Sequence, residues 1–186
     1  MEVRERIRSL QEKMKEEKID YYLIPTADYH NSEYVNEFFK VRQYFSGFTG
    51  SNGSLVISRS QAGLWTDGRY FIQAEKELSG SGITLFRMQE EGVPTIEEYL
   101  AQNMKEGETL GFDGRVVTAS YGKKLEKALK EKHVVIRYEK DVAGSLWKDR
   151  PLMPDNPVSV LPESVCGLRT AQKLEHVREH ERKRLY

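Results

Sequence analysis

Two hydrophobic periods alternate along this chain, one typical of helices and the other typical of buried strands. Between positions 3 and 18, apolar residues recur every three or four positions among charged ones, which predicts an amphipathic surface helix ended by Asp20. Another helix is predicted from Thr95 to about Met104, because Thr95 and Glu98 have the spacing of a capping box. The positions that define the periodic helices are Val3, Ile7, Leu10 and Met14, then Tyr70, Phe71, Ala74 and Leu78, then Tyr121, Leu125, Ala128 and Leu129.

Short apolar runs between these helices predict strands. Most of the runs show no polar alternation, which indicates strands in the middle of a sheet. Because helices and strands alternate, we predict an α/β domain over residues 1–148, with a sheet covered by helices. The predicted strands are 21–24, 55–57, 64–65, 83–86, 109–112 and 134–136.

A proline-rich segment follows this domain. Four of the six prolines lie between Pro151 and Pro162. Proline fixes φ and removes a hydrogen-bond donor, so residues 149–168 are predicted to form an extended, semi-rigid linker. Residues 169–186 have a charged helical pattern that is too short to bury a face by itself. We interpret them as the first helix of a second domain that is incomplete here.

The composition is that of a globular protein, with 38% hydrophobic, 31% charged and 10% aromatic residues. The 29 Lys and Arg balance the 29 Asp and Glu, so nucleic acid and anionic membrane surfaces are disfavoured as partners. No apolar run approaches the length of a membrane helix, and the charged N-terminus lacks a signal peptide's apolar core, so we expect a cytoplasmic protein. The single cysteine, Cys166, excludes an internal disulfide and is interpreted as a small linker residue.

Histidines supply the most tempting catalytic pattern. His176 and His180, with Glu179 beside the second, fit a pattern of zinc peptidases. Zinc needs a third protein ligand, and the six residues after His180 are charged and solvated, so we favour a surface helix. His30 and Glu33 could share a helical face, but two ligands do not make a metal site. His133, which opens a predicted strand, is interpreted as an edge or core histidine.

Two glycine-containing patterns remain. Residues 46–54 are rich in glycine and hydroxyl side chains but contain neither a P-loop nor a dinucleotide-binding motif, so a tight connection into the next strand is favoured over an anion site. The tripeptide Asp-Gly-Arg occurs at 67–69 and again at 113–115, each time after a strand. Asp can satisfy free backbone N–H groups at a turn, while Gly takes a conformation that other residues avoid. Structural turns are therefore predicted, although Asp67 and Arg69 also lie at a strand end, where α/β proteins place ligands.

Read together, three segments strongly resemble the amino-terminal domain of Xaa-Pro aminopeptidases (aminopeptidase P). The linker, from Leu146-Trp147-Lys148-Asp149-Arg150-Pro151 to Gly167 and Lys173, is similar to the one before the second domain of three-domain members. The three segments are Tyr29-His30-Asn31-Ser32-Glu33-Tyr34, Phe45-Ser46-Gly47-Phe48-Thr49-Gly50-Ser51 and Leu64-Trp65-Thr66-Asp67-Gly68-Arg69-Tyr70-Phe71.

The resemblance implies a creatinase/prolidase-type amino-terminal domain with a mixed sheet related to the ribonuclease H-like topology. In the family, a separate carboxy-terminal domain binds two divalent metal ions, usually manganese, through two aspartates, a histidine and two glutamates. That domain cleaves the residue before a penultimate proline. None of the five ligands maps onto this chain, so the resemblance implies a non-catalytic domain with no metal of its own.

The same resemblance implies that this domain shapes substrate access and assembly in a homodimeric parent enzyme. Its expected partners are peptides with proline at the second position and the parent's second and catalytic domains. If any residues face substrate, the candidates are His30, Arg42, Asp67 and Arg69. The alternatives are a peptide-binding or protein-interaction module that works alone, and a small hydrolase that uses His176 and His180.

Overall fold

A six-stranded mixed sheet organises the first part of the structure. The computed structural model describes residues 2–184 and divides into two compact units, the first ending at Met153 and the second beginning at Pro154. The strands lie in the order β4-β3-β2-β1-β5-β6 across the sheet. They are β1 (Tyr21–Pro25), β2 (Ser54–Ser58), β3 (Ala62–Thr66), β4 (Ile83–Arg87), β5 (Thr109–Gly111) and β6 (Val135–Arg137).

Five of the six strands run in the same direction. β2 is antiparallel to both of its neighbours, with Pro25 opposite Ser54 and Ser54 opposite Trp65. β4 is parallel to β3, while β5 is parallel to both β1 and β6. The carboxyl ends of β1, β3, β4, β5 and β6 therefore meet at one edge of the sheet, together with the start of β2.

Helices cover both faces of this sheet, which explains why its central strands read as continuous apolar runs. On one face, α1 (Val3–Glu16), α2 (Val41–Ser46) and α3 (Phe71–Glu77) pack onto the strands. On the other face, α4 (Ile96–Asn103) and α5 (Ala119–Leu129) contribute a second apolar cluster. The predicted fold class, an α/β domain with a mixed sheet covered by helices, is confirmed.

Local signals placed several element boundaries correctly. α4 has the predicted capping box between Thr95 and Glu98, and its C-cap is Met104. α1 ends at Glu16, two residues before the predicted end, because Lys18 takes a left-handed conformation with φ 55° and turns the chain towards β1. α2 was not predicted. On α5, Leu125 and Leu129 are buried as expected from the helical period, but Ala128 is exposed.

His133 lies outside the strand that it was predicted to open. β6 begins at Val135, and His133 is an exposed residue at φ 50° that caps a 3-10 turn after α5. Its backbone N–H donates to the Lys130 carbonyl. The interpretation of His133 as an edge or core histidine is therefore wrong, because the left-handed turn that ends the helix places it in solvent.

The second unit contains two helices, α6 (Glu163–Cys166) and α7 (Thr170–Arg184), after an exposed segment without helix or strand from 154 to 162. Gly167, with φ 77°, separates the two helices. The Cys166 thiol contacts the Leu168 carbonyl at 3.4 Å. Positions 185 and 186 of the predicted last helix lie outside the described residues. Between residues 2 and 184, no helix has the length and apolar character needed to cross a membrane.

Candidate functional site at the strand ends

Four segments meet where the parallel strands end, the edge at which α/β proteins commonly place ligands. We call the surface formed by residues 26–34, 46–53, 67–70 and 113–115 the strand-end surface. His30, Asp67 and Arg69 lie on it, and Arg42 lies beneath it on α2. The four candidate residues thus belong to one region of the fold, but their environments differ sharply.

His30 lies in an exposed turn after β1. Its backbone N–H and that of Ser32 both donate to Asp28 Oδ1, each at 2.9 Å. His30 and Glu33 lie in this loop and not in a helix, so the predicted shared helical face is wrong. Asp28 organises the turn, and the imidazole of His30 stays exposed to solvent.

Arg42 is almost completely buried, with 4% of its surface exposed. Its Nε donates to Thr26 Oγ1 at 3.0 Å, and its two terminal nitrogens donate to the carbonyl oxygens of Phe48 and Gly50. Burial lowers the pKa of the Arg42 guanidinium to about 10, so it stays charged at neutral pH. Arg42 therefore ties the end of β1 to the 46–53 loop.

The 46–53 loop is held as the tight connection that the sequence predicted. The Thr49 N–H and hydroxyl both donate to the Glu77 carboxylate, each at 2.7 Å. The Ser51 and Tyr70 hydroxyls lie 2.6 Å apart. A Cβ built on Gly50 would lie 2.3 Å from the Phe48 ring, so glycine is required here by close packing.

The first Asp-Gly-Arg turn, 67–69, closes on itself through its side chains. Asp67 Oδ1 accepts the Arg69 N–H at 3.1 Å, and the Arg69 Nε and Nη2 donate to the two Asp67 oxygens, each at 2.9 Å. Asn52 Nδ2 donates to Asp67 Oδ2 at 2.6 Å. The hydrogen bonds from Arg69 hold the pKa of Asp67 well below its usual range, and the same pair raises the pKa of Arg69. The Arg69 side chain is 63% exposed, so the edge of its guanidinium away from Asp67 faces solvent.

The second Asp-Gly-Arg turn, 113–115, repeats this geometry. The Asp113 carboxylate accepts hydrogen bonds from the Arg115 backbone N–H at 3.0 Å and from Arg115 Nε and Nη2 at 2.9 Å each. The predicted shared role of Asp is thereby confirmed. The predicted role of Gly is wrong, since neither Gly68 nor Gly114 has a positive φ. A Cβ on Gly114 would lie 2.9 Å from the Tyr138 carbonyl oxygen, so space, and not φ, favours glycine there.

Arg150 forms a contact that the sequence did not predict. Its Nη1 donates to Asp141 Oδ2 at 2.6 Å, and its Nε donates to the Phe38 carbonyl at 2.8 Å. Asp141 also accepts the Gly144 N–H at 2.7 Å. Arg150 and Asp141 lie nine positions apart without a helical or strand period to relate them, so no sequence pattern joined them. The repeated Asp-Gly-Arg tripeptide, by contrast, was a signal that could have identified Arg115.

The described residues do not fit a metal ion of the family's kind. Between residues 2 and 184, no three His, Cys, Asp or Glu side chains are close enough to share a metal. His176 and His180 lie one turn apart on α7, and both are exposed. The two-metal centre that the resemblance implies for the catalytic domain has five ligands, and no such set is assembled within residues 2–184.

Comparison with known proteins finds relatives of this chain among the Xaa-Pro aminopeptidases. It is 39% identical to a probable Xaa-Pro aminopeptidase P from Talaromyces marneffei over 94% of this chain, and 39% identical to aminopeptidase P2 from Arabidopsis thaliana over 86%. The matches span 27% and 23% of those relatives, so the chain covers about a quarter of their length.

A solved structure shows the same fold over nearly the whole chain. The X-prolyl aminopeptidase of Caenorhabditis elegans, described as a cytosolic enzyme with a di-nuclear active site, matches with a TM-score of 0.83 and 30% identity. The match covers 99% of this chain and 32% of that enzyme. Residues 6–141 also match the sequence profile of the creatinase/prolidase N-terminal domain. The chain therefore belongs to the creatinase/prolidase N-terminal domain family, in the form that occurs in Xaa-Pro aminopeptidases.

Proposed function

We propose that this chain is the non-catalytic N-terminal domain of a metal-dependent Xaa-Pro aminopeptidase, and that it shapes the access of peptides to the catalytic domain. The parent enzyme removes the N-terminal residue that precedes a penultimate proline. Such a substrate needs a dedicated binding surface, because the proline amide has no N–H for an ordinary peptidase to hold. The strand-end surface is our candidate for that role.

The observation that carries this proposal is that Asp67 and Arg42, at the strand-end surface, already have hydrogen-bond partners within the domain. Asp67 is held by Arg69 and Asn52, while the Arg42 guanidinium donates to three neutral oxygens. A side chain that acts as a general base or nucleophile must be free to react and must lie near the reacting atom. Side chains that are engaged in this way instead hold loops in fixed positions, which suits a surface that orients a substrate.

Arg69 is our candidate for contact with the peptide. Its Nε and Nη2 are fixed by Asp67, and no residue between 2 and 184 accepts a hydrogen bond from its Nη1. A guanidinium held in this way loses little side-chain entropy when it donates to a peptide carbonyl. Asp67 then positions the Arg69 guanidinium, while Arg42 positions the 46–53 loop. His30, exposed at the rim, is the fourth candidate.

The proposal assigns the metal ions and the chemistry to another part of the parent enzyme. Two divalent ions, with manganese as the first choice, are expected in its catalytic domain. The expected partners of this chain are Xaa-Pro peptides, the second and catalytic domains, and a second copy of the parent in a homodimer. We place the parent enzyme in the cytoplasm, as is stated for the C. elegans relative.

The test compares two proteins under the same metal conditions. The full product of the reading frame and the chain 1–186 are each assayed with manganese on a tripeptide with proline second and on its alanine counterpart. We expect the full product to cleave only the proline peptide and the 186-residue chain to cleave neither. In the full product, Arg69→Gln should raise KM about tenfold, whereas Arg59→Gln, at the opposite end of the sheet, should not.

Three outcomes would contradict the proposal. Turnover of the proline peptide by the 186-residue chain, retained after removal of contaminating proteases, would make it an enzyme in its own right. A stop codon directly after position 186, with peptide binding by the purified chain, would instead favour a module that works alone. Zinc bound in stoichiometric amount and lost on His176→Ala would revive a hydrolase built on α7.

A further inference from the structure

The second Asp-Gly-Arg turn lies on the strand-end surface without a peptide contact assigned to it above, yet it has the geometry of the first. In both turns the Asp carboxylate accepts hydrogen bonds from the Arg backbone N–H, from Nε and from Nη2. The backbone bond measures 3.1 Å in the first turn and 3.0 Å in the second, and the side-chain bonds measure 2.9 Å in both. A peptide contact by Arg69 would therefore be available to Arg115 on the same physical grounds.

The charge around Arg115 selects the kind of group that it can bind. Its guanidinium is paired with Asp113 and lies 3.4 Å from Asp141, so the positive charge is balanced locally. Nη1 has no acceptor among residues 2–184, and the side chain is 53% exposed. A fixed, charge-balanced donor suits a neutral carbonyl oxygen better than a free anion, because an added anion would be repelled by the two carboxylates already there.

The sheet sets the separation between the two arginines. β3, which precedes Asp67, and β5, which precedes Asp113, have β2 and β1 between them. Three interstrand spacings of about 4.8 Å place the two turns at least about 14 Å apart. An extended peptide advances about 3.3 Å per residue, so four to five residues span this distance.

Tyrosines from the loop after β1 add aromatic rings to the strand-end surface. The Arg115 guanidinium lies over the Tyr29 ring at 5.4 Å from its centre, and the Tyr34 side chain is 80% exposed. Tyrosine rings offer apolar contact together with a hydroxyl, which suits a peptide of mixed sequence. The strand-end surface thus has an arginine donor at each of the two turns and tyrosine rings on the loop after β1.

We propose that Arg115 is a second peptide-binding residue, which donates to a backbone carbonyl four to five residues away from the one bound by Arg69. It would make the parent enzyme prefer peptides long enough to reach both arginines. This inference rests on the proposed function, since it takes the ligand to be a peptide substrate. It adds a determinant of substrate length that the first turn alone does not provide.

Binding of a pair of peptides tests the inference directly. Both peptides have proline second and share their first three residues, but one ends at residue three and the other at residue seven. Their Kd values are measured by calorimetry on the full-length protein kept free of metal, so that neither peptide is cleaved. We expect the longer peptide to bind about tenfold more tightly, as one hydrogen bond to a charged donor would provide.

The Arg115 variants should remove this gain. In Arg115→Gln, the ratio of the two Kd values should fall to about one. Arg115→Lys keeps the charge next to Asp113 and so guards against a fold defect, but it lacks the planar array of donors, and the ratio should fall there as well. Arg59→Gln is the matched control, because Arg59 is also a partly exposed arginine paired with an aspartate, Asp20. The ratio of the two Kd values in this variant should stay at the wild-type value.

The outcomes separate this inference from the proposed function. If the short peptide binds and the longer one binds no more tightly, or if the gain survives Arg115→Gln, Arg115 has no such role and the proposed function stands. An equal loss of affinity for both peptides would also overturn the inference, because it would indicate a structural role for Arg115. If the wild-type protein binds neither peptide, both proposals fail.

Discussion

At the scale of single residues, charged side chains stabilise this fold chiefly by fixing loops. Arg42 shows this most clearly, because it is a buried cation whose partners are all neutral oxygens. The charged form remains favoured only because three acceptors replace the water that it lost. Its sequence context gave no hint of burial, since arginine is usually exposed. Burial arises here because the 46–53 loop folds over the start of α2.

Replacement of Arg42 by methionine tests this role. The variant keeps much of the side chain's volume but leaves the Phe48 and Gly50 carbonyls without their buried donor, so we expect the free energy of unfolding to fall by about 3 kcal/mol. Urea denaturation followed by circular dichroism measures the change. Arg59→Met, at an exposed ion pair, should cost less than about 1 kcal/mol. A similar small loss for Arg42→Met would show that its three hydrogen bonds contribute little.

Acid should weaken the first Asp-Gly-Arg turn. The pKa of Asp67 is lower in the folded protein than in the unfolded chain, where it is close to 3.9. The resulting stabilisation is complete above pH 4 or so and is lost as the pH falls through the lower, folded pKa. Asp67→Asn removes this dependence, so the unfolding free energies of the wild type and the variant should converge between pH 5 and about pH 2. A gap that stays constant over that range would contradict the assignment.

At the scale of elements, periodic segments were predictable and short ones were not. α1, α4 and α5 bury residues at helical spacing, and six apolar runs became six strands. α2 escaped prediction because its six residues bury Val41, Arg42, Phe45 and Ser46, a set that includes a cation and a serine. The strand order was also out of reach, since pairing between β1 and β5 joins segments almost 90 positions apart and depends on tertiary packing.

The candidate site was predictable only in part, for a related reason. Asp67 and Arg69 were found because a strand end precedes them and because their tripeptide recurs. The pairing of Arg150 with Phe38 and Asp141 left no trace in the sequence, since it depends on how the chain after β6 returns to the sheet. Local patterns identify residues within a turn, whereas contacts between distant loops follow from topology.

The capping box of α4 is the clearest local signal that the fold uses, and it can be tested by itself. Thr95 Oγ1 accepts the Glu98 N–H at 3.2 Å, and the Glu98 carboxylate accepts the Thr95 N–H at 2.8 Å. Thr95→Ala should lower the free energy of unfolding by about 1 kcal/mol, because the Glu98 N–H in the first turn of the helix loses its acceptor. Thermal and urea unfolding measure this loss of stability. Gln102→Ala, at an exposed position of the same helix, should change stability by less than about 0.5 kcal/mol, and an equal effect at the two sites would contradict a specific role for the cap.

At the scale of the whole molecule, the first unit carries the sheet, both apolar clusters and the strand-end surface. Its end bears directly on the predicted domain boundary at residue 148. Arg150 lies beyond that boundary, yet its side chain is largely buried, donates to Asp141 and to the Phe38 carbonyl, and lies 3.7 Å from the centre of the Phe38 ring. Arg150, which the sequence assigns to the linker, thus makes contacts that belong to the domain.

Two truncated chains decide whether Arg150 belongs to the domain energetically. A chain of residues 1–153 keeps the Arg150 contacts, while a chain of residues 1–148 leaves Asp141 without its shortest partner. We expect both to unfold cooperatively in urea, with the shorter one less stable by about 2 kcal/mol, the range of a partly buried hydrogen bond to a charged group. Arg150→Ala in the longer chain should reproduce that loss, because Arg150 and not the neighbouring Pro151 or Met153 accounts for it. Equal stability of the two chains would place the boundary at residue 148 and make the Arg150 contacts incidental to the fold.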